Sequence, residues 1–246
     1  MPTITANTTD GYVGNFAFSG PSFSSIRDAT SGTQSSATAG NYRFAPRFVA
    51  STGRGGFYDI RRTFFAFDTS VITSTVASAT INIYGDTNGT LDIIGVKATR
   101  PDLVNPIVSA DFDAITGFSA GSSMAGNVTD YTAEVTSWST SGYNSITLNA
   151  AALSDLQSLS VFAICFVGYD NDYLNVDPGF SSGINQNTGM YYANATDAAK
   201  RPYIDYTLAT AAAEVASINT AAIGNISTIM GTAKASIASI NGVDLP

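Results

Sequence analysis

Apolar residues along the body of this chain recur at every second position or in short continuous runs, and Gly, Asn, Asp and Pro bound the runs. That is the pattern of β-strands joined by tight turns. It predicts strands over 57–67, 79–84, 91–96, 131–135, 145–149, 161–167, 190–193 and 203–208, and 79–84 alternates cleanly, with Ala79, Ile81 and Ile83 on one face. Asp86-Thr87-Asn88-Gly89 predicts a turn, because an Asn-Gly pair tolerates the positive φ of a tight hairpin. One short helix is expected over 149–156, where Asn149 stands before AAALSDL as an N-cap. At least eight strands with Gly-rich turns and few helices point to an all-β protein, an antiparallel jelly-roll β-sandwich over residues 1–208, with another Greek-key sandwich as the rival.

Residues 209–246 follow a different rule. VASINTAAIGN from Val215, ISTIMGTAKAS from Ile226 and IASINGVDLP from Ile237 repeat with a period of eleven, so Val215, Ile226 and Ile237 correspond, as do Ile218, Ile229 and Ile240. If helical, such a repeat gives about 3.67 residues per turn and a right-handed supercoil. Gly224, Gly231 and Gly242 oppose a continuous helix at about 1 kcal/mol each relative to alanine, which leaves short helical turns or an extended arm as rivals. From Val215 to the end the only charges are Lys234 and Asp244, and the segment is too short to bury its isoleucines on itself. The six residues Val215, Ile218, Ile226, Ile229, Ile237 and Ile240 are therefore expected to dock on a partner surface, with packing against the chain's own body as the alternative.

Composition narrows the partners. The chain has 246 residues, 44% of them hydrophobic, enough for one sizeable β domain plus a tail, while charged residues are only 12%. A net charge of -8 argues against nucleic acid, whose phosphates are bound by lysine and arginine, and against an anionic membrane. The longest hydrophobic run, 159–167, is far shorter than a spanning helix, and MPTITANTTDGYVG has neither the basic nor the apolar region of a secretory leader. A single cysteine, Cys165, excludes an internal disulfide, and its setting in VFAICFVG reads as a buried strand. The N-x-S/T triplets at Asn7, Asn88, Asn127, Asn194 and Asn225 are expected by chance in a chain so rich in Ser, Thr and Asn.

DGYV from Asp10, RTFFAFDTSVI from Arg62, SWSTSGYNSITLN from Ser137 and RPYIDYT from Arg201 resemble a jelly-roll family related to carbohydrate-binding modules of the DNRLRE type, members of which occur in virion structural proteins of tailed bacteriophages. IASINGV from Ile237 is similar to a short C-terminal element of phage structural proteins. The resemblance spans most of residues 8–208 and rests mainly on core aromatics, turn glycines and strand ends. It implies a virion protein made in a host cytoplasm, partnered by a major capsid or tail protein and by copies of itself, a trimer among the fitting assemblies.

Chemistry-bearing residues are sparse. The chain has no histidine, which removes Ser-His-Asp and Cys-His nucleophiles and the commonest catalytic zinc ligand. Asp111 with Asp113, or Asp170 with Asp172, could pair for glycoside cleavage, yet both pairs sit in turn-like sequence where solvated loop aspartates are the usual finding. The stretch 170–177, DNDYLNVD, is rich in oxygen ligands but lacks the glycine and terminal glutamate of an EF-hand, so an ordinary polar loop is expected there. No enzyme activity, cofactor or metal is expected. Trp138, Tyr169 and Tyr173, in or beside loops, are the candidates for stacking on host glycans, with a core role the favoured alternative for Trp138. Arg43, Arg47, Arg54, Arg61 and Arg62 cluster around the STGRGGF loop and either grip an acidic neighbour or form a solvated face with cross-strand ion pairs. The function expected is a capsid decoration or cement subunit held by its tail; the alternative is a tail-fibre or receptor-binding domain for host glycans.

Overall fold

The computed structural model describes residues 1–209 and, beyond them, the backbone of four two-residue strands. The chain divides into two units, Met1–Leu208 and Ala209–Pro246. The first is all-β and antiparallel, with β1 (Thr3–Thr5), β2 (Gly11–Ala17), β3 (Gln34–Ser36), β4 (Asn41–Tyr42), β5 (Arg47–Ser51) and β6 (Phe57–Asp68), then β7 (Val76–Gly89), β8 (Ile93–Lys97), β9 (Tyr143–Thr147), β10 (Val161–Gly168), β11 (Asn185–Tyr191) and β12 (Tyr203–Leu208). Two helices interrupt them, α1 (Phe23–Arg27) and α2 (Ala150–Ser158). Strand order is β1-β12-β7-β11-β5-β6-β10-β8, with β9 on β7, β4 on β11 and β3-β2 on β6.

Two groups of strands result. β1, β12, β7 and β9 form one, with Ile204 opposite both Ile4 and Ile81, and Ile81 opposite Ile146. β6 organises the other, flanked by β2 on one edge and by β5 and then β10 on the other. Strand β11 joins them, pairing with β5 over Asn185–Asn187 and with β7 from Thr188 onward through a register shift. One continuous core of buried side chains draws on both groups. In β7 the residues Ala79, Ile81 and Ile83 point into it together.

Strand β6 is buried along both faces because each has its own cover. Phe65 meets Tyr192 and Phe166, whereas alternate residues face the other way: Tyr58 packs on Phe23 of α1, and the Arg62 guanidinium lies 4.2 Å from the ring centre of Phe112. Phe112 belongs to a long irregular segment between β8 and β9, anchored by buried Ile107, Ile115, Met124 and Tyr131.

Arg62 is fully buried and has its positive charge balanced locally. It forks onto Asp172, Nε to Oδ2 at 2.8 Å and Nη2 to Oδ1 at 2.7 Å, and donates to the carbonyls of Phe112 and Arg27. Arg27, also fully buried, donates to the Asp172 carbonyl and to the Asp28 carboxylate. Two arginines thus face two aspartates, and the network ties α1, β6, the irregular segment and the π turn Tyr169–Tyr173 together.

Several sequence expectations change. The turn expected at Asp86-Thr87-Asn88-Gly89 is strand instead, because β7 runs on to pair with β11. Its glycines serve close approach: a Cβ on Gly85 would lie 1.8 Å from the Ser139 carbonyl oxygen, and one on Gly89 would lie 2.9 Å from the Trp138 side chain. The strand expected over 131–135 is reduced to bridges, Asp130 to Val96 and Val135 to Ile93. The N–H groups of Tyr131 and Thr132 both donate to Gly95, which spoils a regular ladder. Helix α2 lies where Asn149 caps it, its side chain accepting from the Ala152 N–H at 3.1 Å.

In the second unit β13 (Thr228–Ile229) pairs with β14 (Thr232–Ala233), and β15 (Ser239–Ile240) with β16 (Val243–Asp244). Both members of each pair recur eleven residues apart, and Met230-Gly231 and Asn241-Gly242 stand between the paired strands. Two intervening residues ending in glycine suit a tight hairpin turn. Ile229 and Ile240 are thus placed by their backbones in hairpin strands; Val215, Ile218, Ile226 and Ile237 lie outside the described residues.

Replacing Arg62 by Met leaves Asp172 with Arg27 alone at 3.6 Å, and about 3–5 kcal/mol of unfolding free energy should be lost. Urea denaturation measures this; a change below 1 kcal/mol would show that the pair does not hold the layers together. Gly85→Ala should cost about 1–3 kcal/mol through overpacking against Ser139, in the same assay.

Candidate functional site

The period-two rule that buries isoleucines on one face of the four-stranded group places polar residues on the other. Thr3 and Thr5 of β1, Tyr203 and Asp205 of β12, Thr80, Asn82 and Tyr84 of β7, and Tyr143, Ser145 and Thr147 of β9 alternate with buried Ile4, Ile204, Ile81, Ile83 and Ile146. Register aligns them in rows: Thr5, Tyr203, Asn82 and Ser145 in one, Thr3, Asp205, Thr80 and Thr147 in the next. Hydrogen bonds run along the first row and across to the second. Ser145 donates to Asn82 at 2.7 Å, and the Asn82 amide donates to Asp205 at 3.2 Å.

Four half-buried tyrosines form a chain at one end of this face. Ring centres of Tyr203 and Tyr143 are 5.1 Å apart, those of Tyr143 and Tyr84 5.2 Å, and those of Tyr84 and Tyr191 5.4 Å, each pair edge to face. Such pairs contribute about 0.5–1.5 kcal/mol beyond area burial. Lys200 lies over Tyr84 and Tyr191. The Tyr143 hydroxyl donates to the carbonyls of Ala199 or Arg201, fixing the loop before β12. Burial, then the nearby Asp205 charge, raises the Tyr203 phenol above its ordinary value.

Two open grooves meet at Tyr143. One, about 510 Å³, is lined by Tyr143, Tyr203, Arg201, Asp205, Thr3 and Thr5. The other, about 480 Å³, runs between β9 and residues 133–137 and presents Glu134, Thr136, Ser137, Ser145 and Thr147. Arg201 spends its Nε–H on the Ala195 carbonyl at 3.0 Å, and among the described residues its two terminal nitrogens have no partner. Asp205 uses one oxygen on Asn82, leaving the other.

The residues chosen from sequence as glycan contacts lie elsewhere. Trp138 is half-buried over Gly85 and Gly89, with its Nε1–H on the Gly189 carbonyl at 3.2 Å. Tyr169 and Tyr173 do come together, stacked at 5.3 Å, but Tyr173 is buried with its hydroxyl on the Asp130 carboxylate, so its ring is closed to a ligand. Tyr143, Tyr203, Arg201 and Asp205 were missed, although Tyr-x-Ser-x-Thr in β9 and Tyr-x-Asp-x-Thr in β12 carry the polar alternation that marks an outward face.

The arginine cluster stays together in part, Arg43 and Arg47 sharing the Phe44 ring and Arg47 and Arg61 meeting Asp59 across β5 and β6 as a cross-strand ion pair. Arg62 is committed to Asp172, and Arg54 lies over Phe18. One carboxylate of each pair considered for catalysis has structural partners: Asp111 accepts from the Val108 N–H at 2.9 Å and faces Arg100, and Asp172 belongs to the buried arginine network. Within 170–177, Asp177 accepts from Tyr58, while the Asn171 and Asn175 amides hold the Val176 and Gly121 carbonyls. No group of three or more metal-ligating side chains occurs among the described residues, and no helix there is long and apolar enough to cross a membrane. Cys165 is buried, and that burial raises its thiol well above the ordinary value.

Asp10 is the remaining buried carboxyl. One oxygen accepts from the Ala193 N–H at 2.9 Å, the other has no partner among the described residues, and burial raises its pKa well above the ordinary range. The folded state therefore holds a proton the unfolded chain releases. This stabilisation is complete below the ordinary carboxylate range and falls as pH rises through the elevated value. Asp10→Asn should remove that fall: in urea melts from pH 4 to 8 the stability difference should move in the variant's favour as pH rises, and a constant difference would count against it.

Comparison with protein-family models finds no match, and comparison with curated proteins finds none either.

Proposed function

We propose that this chain is a non-enzymatic structural protein of a tailed-bacteriophage virion, a capsid decoration or cement subunit whose jelly-roll body is attached through residues 209–246 to a shell protein and to sister copies. The observation that carries this reading is the match between the eleven-residue repeat and the paired strands at 228–233 and 239–244. A short repeated hairpin, low in charge and rich in isoleucine, is a unit that gains stability when apolar side chains are covered, at about 25 cal/mol per Å² buried. Repetition multiplies that contact, and a symmetric assembly shares it among copies. The DNRLRE-like motifs support the reading, as does the structural employment of Asp111 and Asp172.

A second reading, a tail-fibre or receptor-binding head, is favoured by the tyrosine-bearing outer face. Position on the particle separates the two.

Deletion of residues 209–246 should abolish incorporation into particles while the body keeps its melting transition. Ile229→Asp combined with Ile240→Asp, which replaces the apolar residues of the paired strands by charges, should lower incorporation in the full-length chain. Full incorporation of both variants, measured by quantifying the protein in purified particles, would overturn attachment through the tail.

A further inference from the structure

We propose that the groove between β9 and residues 133–137 is an insertion slot for an extended strand of another polypeptide, one that carries a lysine or arginine. Backbone groups on both walls of this groove face it unpaired. At the two ends of β9 the Leu148 N–H donates to the Ala79 carbonyl and the Gly142 carbonyl accepts from the Gly85 N–H. Register is continuous between those points, so Asn144 and Ile146 also bond β7, and the N–H and carbonyl groups of Tyr143, Ser145 and Thr147 point away from β7 into the groove. On the other wall Val135 exchanges both of its backbone bonds with Ile93 of β8, at 2.8 and 3.2 Å, which turns the backbone groups of Glu134 and Thr136 away from β8. Among the described residues, none of these five has a backbone partner on the groove side.

The walls are tied at one end, where the Asn144 side chain accepts from the Ser139 N–H at 2.7 Å and donates to the Ser139 carbonyl at 3.0 Å. Beyond that tie they leave about 480 Å³, lined by 133–137 on one side and 143–147 on the other. Five residues at about 3.3 Å each make a strand of ordinary length. Val135 and buried Ile146 belong to the lining, so alternate side chains of an inserted strand meet apolar surface. An extended backbone can answer two open ladders at once; a helix, whose N–H groups are spent internally, answers neither.

Charge selects the residue on the strand's other face. Glu134 stands on the groove wall, and desolvation, then the charges of Asp92 and Asp170, raise its carboxyl above the ordinary value. Among the described residues none of these three carboxylates has an ion-pair partner, and Lys97 on β8 is spent on Asp155 at 2.8 Å. A strand with a cation at an outward position therefore finds a ladder and a counter-charge together. The inference concerns the body alone and holds for a shell protein or a fibre.

The full-length protein is titrated by fluorescence anisotropy with a labelled nonapeptide, TVTVKVTVT, which alternates polar and apolar residues around a central lysine. Saturable binding is expected. N-methylation of either alternate set of residues should abolish it, since an inserted strand uses both sets of N–H groups. Thr136→Pro and Thr147→Pro, which each delete one groove-facing N–H, should abolish binding while the melting transition stays, because proline is tolerated at a strand edge. Glu134→Lys should weaken binding of this peptide about fivefold and strengthen binding of its glutamate counterpart by a similar factor. No saturable binding, binding insensitive to N-methylation, or binding equal in the three variants and the parent overturns the proposal. So does association of the protein's own copies in sedimentation that Thr147→Pro dissolves, with no peptide bound.

Discussion

The fork between Arg62 and Asp172 is the contact on which the rest of the body depends. Both side chains lie out of water, and with Arg27 and Asp28 they form a balanced group of two positive and two negative charges. Isolated burial of any one of them would be strongly unfavourable, so each fixes the position of the others. Because Arg62 stands on the central strand, Asp172 on a π turn and Arg27 at the end of α1, charge balance compels three remote pieces of sequence to meet at one place. The irregular segment completes the shell by giving its Phe112 carbonyl and the rings of Phe112 and Phe118 to the same guanidinium.

With that side of β6 sealed, the opposite group of strands can leave one face open. Its inner isoleucines close the core, while its outer rows carry tyrosine, threonine, asparagine and aspartate in cross-strand register. A rigid sheet is a precise carrier for such a surface, since neighbouring side chains are set by strand spacing. Close passage of Trp138 and Ser139 across Gly85 and Gly89 fixes the chain just before β9, and thereby the edge on which Tyr143 sits.

Much of this was legible in the chain. Alternation in 79–84 and the continuous apolar run in 57–67 located β7 and β6 because period and burial are local consequences of strand geometry. The N-cap of α2 was readable for the same reason, since an accepting side chain three residues before its N–H donor needs no tertiary context. The segment 86–89 misled because Asn-Gly has turn propensity, whereas pairing with β11 and the approach of Trp138 are long-range. Trp138, Tyr169 and Tyr173 were chosen for their place in or beside loops, whereas Tyr143 and Tyr203 share a groove only because β9 and β12 flank β7.

The sequence by itself determined an all-β body, the inward and outward positions of its strands, the absence of histidine chemistry and the eleven-residue period of the tail. The tertiary structure decided which arginines are buried, which carboxylates are occupied, and which tyrosines are neighbours. The physical reason is the range of the forces involved. Periodicity and capping act over a few residues, whereas pairing of Arg62 with Asp172, or of Tyr203 with Tyr143, joins positions that only a closed set of strands brings within contact distance.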